Sequence, residues 1–208
     1  MIMINVLHVE QLLTTGGGWQ DQVGGLFPGV KISRFNTENG QLLTEPIPID
    51  GKFVNELEHR LVLVYTGKTR LAKNLLQEVV RNWFSRNSLL LSSLSSLAEL
   101  SESSASKLAN GEFPVEEVKS YYEIKKCIAT GCEPLNVKEF KNYLEAEKII
   151  ESAWIAGAGG GGFLYLWLTS AGDVQRVLNV INNHSKFAGF TLHSVNIDMN
   201  PLHIEAIS

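Results

Sequence analysis

A glycine-rich segment with one acid, residues 14–25, is the part of the sequence best suited to chemistry. Five glycines surround Asp21, and clustered glycines are typical of tight turns or of backbone that approaches a ligand closely. A carboxylate held in such a concavity can take a proton from a bound hydroxyl, so Asp21 is a candidate general base. The spacing leaves a second interpretation open, in which Asp21 caps the following helix and the glycines form a turn.

A second glycine segment, residues 157–162, lies between two apolar runs that we predict to be strands, residues 154–156 and 163–168. Three of its glycines fit G-x-G-x-x-G, but a dinucleotide site requires a helix directly after the glycines, and a strand is predicted there. We therefore expect a strand-glycine-strand hairpin. Its loop is either a flexible tip or a source of backbone N–H groups for an anion.

A third segment, Thr-Gly-Lys-Thr at residues 66–69, follows an apolar run predicted to be a buried central strand, residues 60–65. It resembles a P-loop, but that pattern requires a second glycine where Val62 stands, so we exclude a P-loop. What remains is a helix start with Lys68, Thr69 and Arg70. Either an anion docks there, or the three side chains are simply exposed.

The elements that must position these segments follow from the spacing of the apolar residues. Helices are predicted up to residue 14, over residues 71–83, 86–109, 114–128 and 174–181, and from Asn136, where Glu139 completes a capping box. Further strands are predicted over residues 30–35, 41–49, 190–197 and 202–207, with a turn at Asn39-Gly40 and a polar connection beginning at Gly51. The order of elements in residues 163–197 predicts a split βαβ unit of an α+β domain.

Composition excludes several classes of protein. The chain has 208 residues, of which 44% are hydrophobic, and a formal net charge of −4, as in a soluble globular protein without a basic field for nucleic acid. The N-terminus lacks the features of a signal peptide, and the longest apolar run, residues 163–168, is too short to cross a bilayer. Cys127 and Cys132 are expected to be free thiols in a reducing cytosol, which predicts a cytoplasmic protein. The histidines are scattered, so no metal site is predicted.

Taken together, the segments resemble the GHMP small-molecule kinases, in the form found in L-fucokinases. Residues 14–25 resemble the segment with the catalytic aspartate, residues 63–76 the strand-turn-helix that follows it in fucokinases, and residues 157–164 the third GHMP motif. The three segments occur in family order, and the run Gly-Cys-Glu-Pro-Leu at residues 131–135 is also similar to fucokinases. The resemblance covers nearly the whole chain.

This resemblance implies an α+β fold that is the C-terminal half of a GHMP kinase. Helices would pack on a mostly antiparallel sheet that contains a ferredoxin-like split βαβ element. We expect one domain over residues 1–208, because the sequence has no tandem repeat and no strong linker. Its parts would be the catalytic-aspartate segment 14–25, a helical region 70–150, and the third glycine motif with the βαβ element in residues 154–207.

The activity implied by the resemblance is that of an ATP-dependent sugar kinase that uses Mg²⁺. Such an enzyme would phosphorylate the anomeric hydroxyl of L-fucose to L-fucose 1-phosphate, with Asp21 as the catalytic base. The residues implied to bind substrate are Gly17, Gly18, Trp19, Gln22 and Arg70, and core packing is the competing role for Trp19. The residues implied to support the phosphate loop are Gly157, Gly159, Gly160, Gly161 and Gly162. The partners are then a small-molecule sugar and ATP, with no nucleic acid and no membrane.

Part of the family pattern has no counterpart in the chain. The phosphate loop, the N-terminal GHMP motif and the acid that holds Mg²⁺ match no position here. We therefore expect a fragment of a carbohydrate kinase that is inactive alone, with an exposed apolar patch where a missing N-terminal kinase half packs. One alternative is a non-catalytic, kinase-derived binding or interaction module, which could cover that face as a homo-oligomer. The other is a heptose or galactose kinase of the same family.

Overall fold

The computed structural model describes residues 2–12, 17–67, 72–200 and 202 of the chain. Within these ranges the helices are α1 Ile2–Leu12, α2 Gln20–Leu26, α3 Gly51–Arg60, α4 Ala72–Phe84, α5 Ser88–Ala109, α6 Val115–Ile128, α7 Leu135–Ala146 and α8 Val174–Asn183. The strands are β1 Lys31–Asn36, β2 Gln41–Pro46, β3 Leu61–Tyr65, β4 Ile150–Ile155, β5 Phe163–Leu168 and β6 Thr191–Ser194. The chain therefore has the α+β fold that its sequence predicts.

The main sheet has four strands in the order β4-β5-β3-β6, and each neighbouring pair is antiparallel. Since β5 and β6 are both antiparallel to β3, which lies between them, the unit β5-α8-β6 is the split βαβ element that we predicted. The helices α4 to α7 connect β3 to β4 and complete a ferredoxin-like β-α-β-β-α-β order. Within this sheet, the second glycine segment, residues 157–162, connects β4 to β5.

The core lies between one face of this sheet and the helices α6, α7 and α8. Alternate residues of β3 point to opposite faces, so that Val62 and Val64 enter this core while Leu61 packs on the other side with Phe53 and Leu57 of α3. The helices contribute residues at helical spacing, namely Tyr122, Val137, Phe140, Leu144, Val177, Val180 and Ile181. Burying each large apolar side chain stabilises the fold by roughly 1.5–3 kcal/mol, which makes this layer the rigid base of the molecule.

A separate hairpin, β1-β2, follows the first glycine segment. Its turn contains Gly40 at a φ of 67°, as the Asn-Gly signal predicted. Arg34 of β1 joins the hairpin to α5 through two hydrogen bonds of 2.6 Å to the carboxylate of Glu102. The ion pair between Arg34 and Glu102 is exposed to solvent. It therefore orients the hairpin relative to α5 more than it adds to the stability of the fold.

Two predicted boundaries were wrong. The polar connection expected from Gly51 is the helix α3, because the Asp50 side chain accepts a hydrogen bond of 2.7 Å from the amide of Phe53 and caps it. The helix predicted from Asn136 begins at Leu135 with Pro134 at its N-cap, and the predicted capping box does not form. The ring of Pro134 fixes its φ, so the chain enters α7 in a defined conformation without a side-chain cap.

Other predicted elements lie partly outside the described residues. The strand predicted over residues 202–207 is one of these, since only Leu202 of that range is described.

The strand β4 begins at Ile150, earlier than residue 154 where we expected it. None of the described helices is both long and apolar enough to cross a membrane.

Candidate active site

Asp21 lies in the first turn of α2, within the described part of the first glycine segment. Its side chain is exposed, and the acid sits where the positive end of the helix dipole favours a carboxylate. The N-cap position belongs to Trp19, whose side chain makes no capping hydrogen bond. The interpretation of Asp21 as a helix cap is therefore wrong, and its carboxylate is left to face solvent.

The Asp21 carboxylate opens onto a cleft of about 450 Å³, which we call the Asp21 cleft. Gly17, Gly18 and Asp21 line it from the first glycine segment, and Gly157 and Ala158 line it from the second. Glu10 of α1, Gln20 of α2 and Leu76 of α4 complete the lining. The fold therefore brings together, around Asp21, two glycine segments that are far apart in sequence.

The second glycine segment is the loop of the β4-β5 hairpin, as predicted, and it is closed by a hydrogen bond of 2.9 Å from the Ala156 amide to the Phe163 carbonyl. Five of its residues, Gly157, Gly159, Gly160, Gly161 and Gly162, have φ values between 59° and 133°. Residues with a Cβ rarely adopt such backbone. The run of glycines is thus required by the shape of the loop.

Cys132, in the turn between α6 and α7, limits how closely the loop of the β4-β5 hairpin can approach this turn. A Cβ added at Gly159 would lie 2.8 Å from both the Cβ and the carbonyl oxygen of Cys132. The amide of Gly160 donates a hydrogen bond of 2.6 Å to that same carbonyl. At the other end of the loop, the amide and the hydroxyl of Thr66 both donate to the Gly162 carbonyl at 2.9 Å.

Lys125 of α6 lies beneath the loop and is only 6% exposed. Its Nζ donates hydrogen bonds of 2.7 Å to the Ile155 carbonyl and 2.6 Å to the Gly157 carbonyl. Burial lowers the pKa of this amine to about 8, and the neighbouring Cys132 opposes the shift weakly. Among the described residues no carboxylate forms an ion pair with Lys125. The hydrogen bonds to the two carbonyls therefore replace the hydration that the amine loses on burial.

The sequence pointed to Lys125 only indirectly, and we did not select it as a site residue. Its helix position, three residues after the buried Tyr122, places it on the apolar face of α6. A lysine at such a position is the signal that could have found it.

The other predicted substrate residues fall in different places. Trp19 does not line the Asp21 cleft: it stacks on Phe35 with ring centroids 5.9 Å apart, and both rings border a separate cavity of about 390 Å³. Gln22 is 5% exposed, and neither its amide nitrogen nor its amide oxygen has a hydrogen-bond partner in the described parts of the chain. Arg70 lies outside the described residues, as do Lys68 and Thr69.

The described residues contain no group of three or more His, Cys, Asp or Glu side chains arranged to hold a metal ion. A kinase magnesium ion is usually held by one or two carboxylates together with the substrate phosphates. No metal-binding role can therefore be assigned to particular side chains here.

Two curated relatives are similar to most of the chain. One is a bifunctional fucokinase/GDP-fucose pyrophosphorylase of Arabidopsis thaliana, 37% identical over 185 residues, which are 88% of this chain and 17% of the relative. The other is an L-fucokinase/L-fucose-1-P guanylyltransferase of Bacteroides fragilis, 36% identical over 202 residues, or 89% of this chain and 20% of the relative. The chain thus spans about a fifth of the length of the curated relatives it matches, and no family model matches it.

A solved structure with a similar fold is that of L. major mevalonate kinase in complex with R-mevalonate. It superimposes with a TM-score of 0.62 at 13% identity, over 81% of this chain and 49% of that protein. At this identity the likeness concerns the fold alone. Together with the two relatives, it confirms the resemblance to GHMP kinases and fucokinases that the sequence segments predicted.

Proposed function

We propose that these residues form the C-terminal part of a GHMP-type sugar kinase, in which Asp21 acts on the anomeric hydroxyl of L-fucose. The observation that carries the proposal is that Asp21 and Gly157 line one cleft, although they are far apart in sequence. The cleft volume, about 450 Å³, falls in the usual range for small-molecule sites, roughly 300–1,000 Å³. The choice of L-fucose as the sugar rests on the two curated relatives, whose names include fucokinase.

In the proposed reaction the Asp21 carboxylate accepts the proton of the sugar hydroxyl. A bond forms between that oxygen and the terminal phosphorus of ATP, the bond from this phosphorus to the bridging oxygen breaks, and ADP leaves. Phosphoryl transfer asks a protein mainly for positioning and charge stabilisation, so a base in the right place contributes on the order of 10²–10⁴-fold. The exposure of Asp21 to the cleft is consistent with this role.

The two glycine segments would have different tasks in this site. Gly17 and Gly18 expose backbone on the side of Asp21, where the absence of side chains lets a sugar ring approach. The second glycine segment forms the other side, and we propose that it supports the loop that binds the ATP phosphates. ATP itself, with Mg²⁺, would be held largely by residues other than those described.

The proposal is tested by titrating L-fucose into the wild-type chain, the Asp21→Asn variant and a control variant, Glu38→Gln. Glu38 is an exposed acid in the turn of the β1-β2 hairpin and does not line the Asp21 cleft. We expect saturable binding to the wild type and to the control, and binding weakened at least about tenfold in Asp21→Asn, since a charge-assisted hydrogen bond is lost.

A kinase assay with ATP and L-fucose accompanies the titration. For the chain alone we expect no sugar phosphate; if it forms and disappears in Asp21→Asn, the assignment of the base stands and the expected inactivity is wrong. Absence of L-fucose binding, or equal affinity of wild type and Asp21→Asn, would overturn the proposal. Stronger binding of D-galactose than of L-fucose would favour a galactose-type kinase in place of a fucokinase.

A further inference from the structure

We propose that Lys125 is a positioning residue for the Asp21 cleft: it holds the carbonyls at the base of the second glycine segment and so sets where Gly157 and Ala158 stand relative to Asp21. The positioning follows from the geometry of the described residues. Its effect on ligand binding rests on the proposed function.

The contacts of the amine fix the point where the segment leaves the sheet. Ile155 is the last residue of β4 and Gly157 is the first residue of the segment, and the Lys125 Nζ binds the carbonyl oxygens of both. Gly157 is also a lining residue of the cleft. A displacement of its peptide group therefore changes the cleft directly, without an intermediate residue.

Glycine backbone alone would not hold this position. Gly157 and the glycines after it have the widest choice of φ and ψ of any residues, so a fixed conformation requires contacts from outside the segment. Among the described residues, the Ala158 side chain packs against the cluster of Leu75, Ala129 and Cys132, and three hydrogen-bonded contacts hold the backbone. The Cys132 carbonyl binds Gly160, Thr66 binds Gly162, and Lys125 binds the start, where no other side chain of the described residues does so.

Lys125 is a charged residue at a buried position, where an apolar residue is usual. An apolar residue on the same face of α6 would pack without the cost of removing a charged group from water. The ammonium group brings three donors and a positive charge, and it binds the carbonyl of Gly157, a residue that lines the cleft. Among the described residues, the Tyr121 ring, with its centroid 5.5 Å from Nζ, and the Cys132 thiol are neighbours of the amine.

Hydrogen exchange by mass spectrometry at pH 7 tests the positioning without reference to activity. The variants are Lys125→Met, which keeps the length and loses the donors, and Lys125→Arg, which keeps donors and charge. Lys126→Met is the matched control, because Lys126 is the next residue in α6 but binds no carbonyl of the segment: it pairs with Glu123 and lies 4.0 Å from the Glu133 carboxylate. The amides of Ala156 and Gly160 report on the segment, and amides of β5 report on the fold.

We expect exchange in residues 156–162 to be at least about tenfold faster in Lys125→Met, from the loss of hydrogen bonds to a charged group. Lys125→Arg should restore slow exchange, and Lys126→Met should match the wild type. Equal exchange in Lys125→Met and Lys126→Met, with β5 intact in both, would overturn the proposal.

A measurement on the wild type covers the case in which Lys125→Met does not fold. Acetic anhydride should label Lys125 at least about tenfold more slowly than Lys126, and chains acetylated at Lys125 should show the faster exchange of residues 156–162. Equal labelling rates of the two lysines would count against a held amine.

L-fucose titration then separates the two proposals. We expect the dissociation constant to rise at least about fivefold in Lys125→Met and to recover in Lys125→Arg. Faster exchange together with unchanged L-fucose affinity leaves the positioning intact and shows that it does not affect sugar binding. Faster exchange with no binding of L-fucose to the wild type leaves the positioning intact and contradicts the proposed function.

Discussion

The amide of Gly160 lies 2.6 Å from the carbonyl oxygen of Cys132, which joins the loop of the β4-β5 hairpin to the turn between α6 and α7. Both partners belong to runs that resemble fucokinases, residues 131–135 and 157–164. The first of these runs suggested no chemistry in the sequence. The structure indicates that it shapes the second glycine segment, and through it the Asp21 cleft.

This contact predicts that two neighbouring glycines respond differently to alanine. A Cβ at Gly159 would meet Cys132 at 2.8 Å with a φ of 98°, whereas at Gly157, with a φ of 59°, it would meet nothing within 4 Å. We expect Gly157→Ala to lower the free energy of unfolding by about 1 kcal/mol, the cost of left-handed backbone. Gly159→Ala should lower it by about 3 kcal/mol, because overpacking is added. Urea denaturation of both variants measures the difference.

Equal losses in the two alanine variants would show that the turn at Cys132 yields to the added methyl group. The contact would then be adjustable and would not determine the loop. A further substitution, Cys132→Gly in the Gly159→Ala background, removes the contacted Cβ and should recover only part of the loss, since the carbonyl of residue 132 remains in place.

A second prediction concerns access to the Asp21 cleft. Gly18 lines the cleft and has ordinary φ, and a Cβ there would meet nothing within 4 Å. We therefore expect Gly18→Val to leave the fold intact and to fill part of the cleft, so that the dissociation constant for L-fucose rises at least about tenfold, or 1.4 kcal/mol. Calorimetric titration provides the measurement.

The matched control for this prediction is Gly25→Val. Gly25 belongs to the same glycine-rich stretch, has equally open surroundings, and does not line the cleft. It should bind L-fucose like the wild type. If both valine variants lose affinity to the same degree, the loss comes from the α2 region as a whole and the cleft is not the sugar site.

A third prediction follows from the pKa of Lys125, which burial lowers from 10.5 to about 8. Between these pH values the unfolded chain binds more protons at this residue than the folded chain, so the free energy of unfolding gains a contribution that rises with pH. The gain is complete near pH 10.5 and amounts to at most about 3.5 kcal/mol, at about 1.4 kcal/mol per pH unit. Below pH 8 both states are protonated and the contribution is constant.

Urea denaturation of the wild type and of Lys125→Met at pH 7, 8, 9 and 10 isolates this group, because the other ionisable residues are common to both. The wild type should gain stability relative to Lys125→Met as the pH rises above 8. A stability difference that is flat over this range would contradict the lowered pKa. Lys126→Met, whose amine is paired at the surface, should show no such gain.

The main elements were predictable where apolar spacing was regular and turn residues marked the ends. The Ser-rich helix α5, for example, begins after the Asn87 cap and ends before Gly111 at a φ of 74°, as its leucine spacing and its Asn-Gly stop predicted. The helix α3 was missed although Asp50 and the pair Phe53 and Leu57 carried the signal. The glycine at its first position favours a loop in the sequence.

The site was predictable in part. Asp21 and the glycine segments stood out because the residue types needed for chemistry were concentrated there, and the fold places them around one cleft. The place of Trp19 was not predictable, since its partner Phe35 comes from a different element. The role of Lys125 depends on a hydrogen bond between α6 and a loop distant in sequence, which no local pattern encodes.

The position of β3 in the sheet has a consequence for synthesis of the chain. In chain order, β3 precedes both of its hydrogen-bonded neighbours, β5 and β6, by the whole stretch of residues 66–162. Until they emerge from the ribosome, both edges of an apolar strand stay unpaired and open to wrong partners. The long helical insertion between β3 and β4 therefore makes sheet formation a late event, and chaperone dependence should be concentrated in that interval of translation.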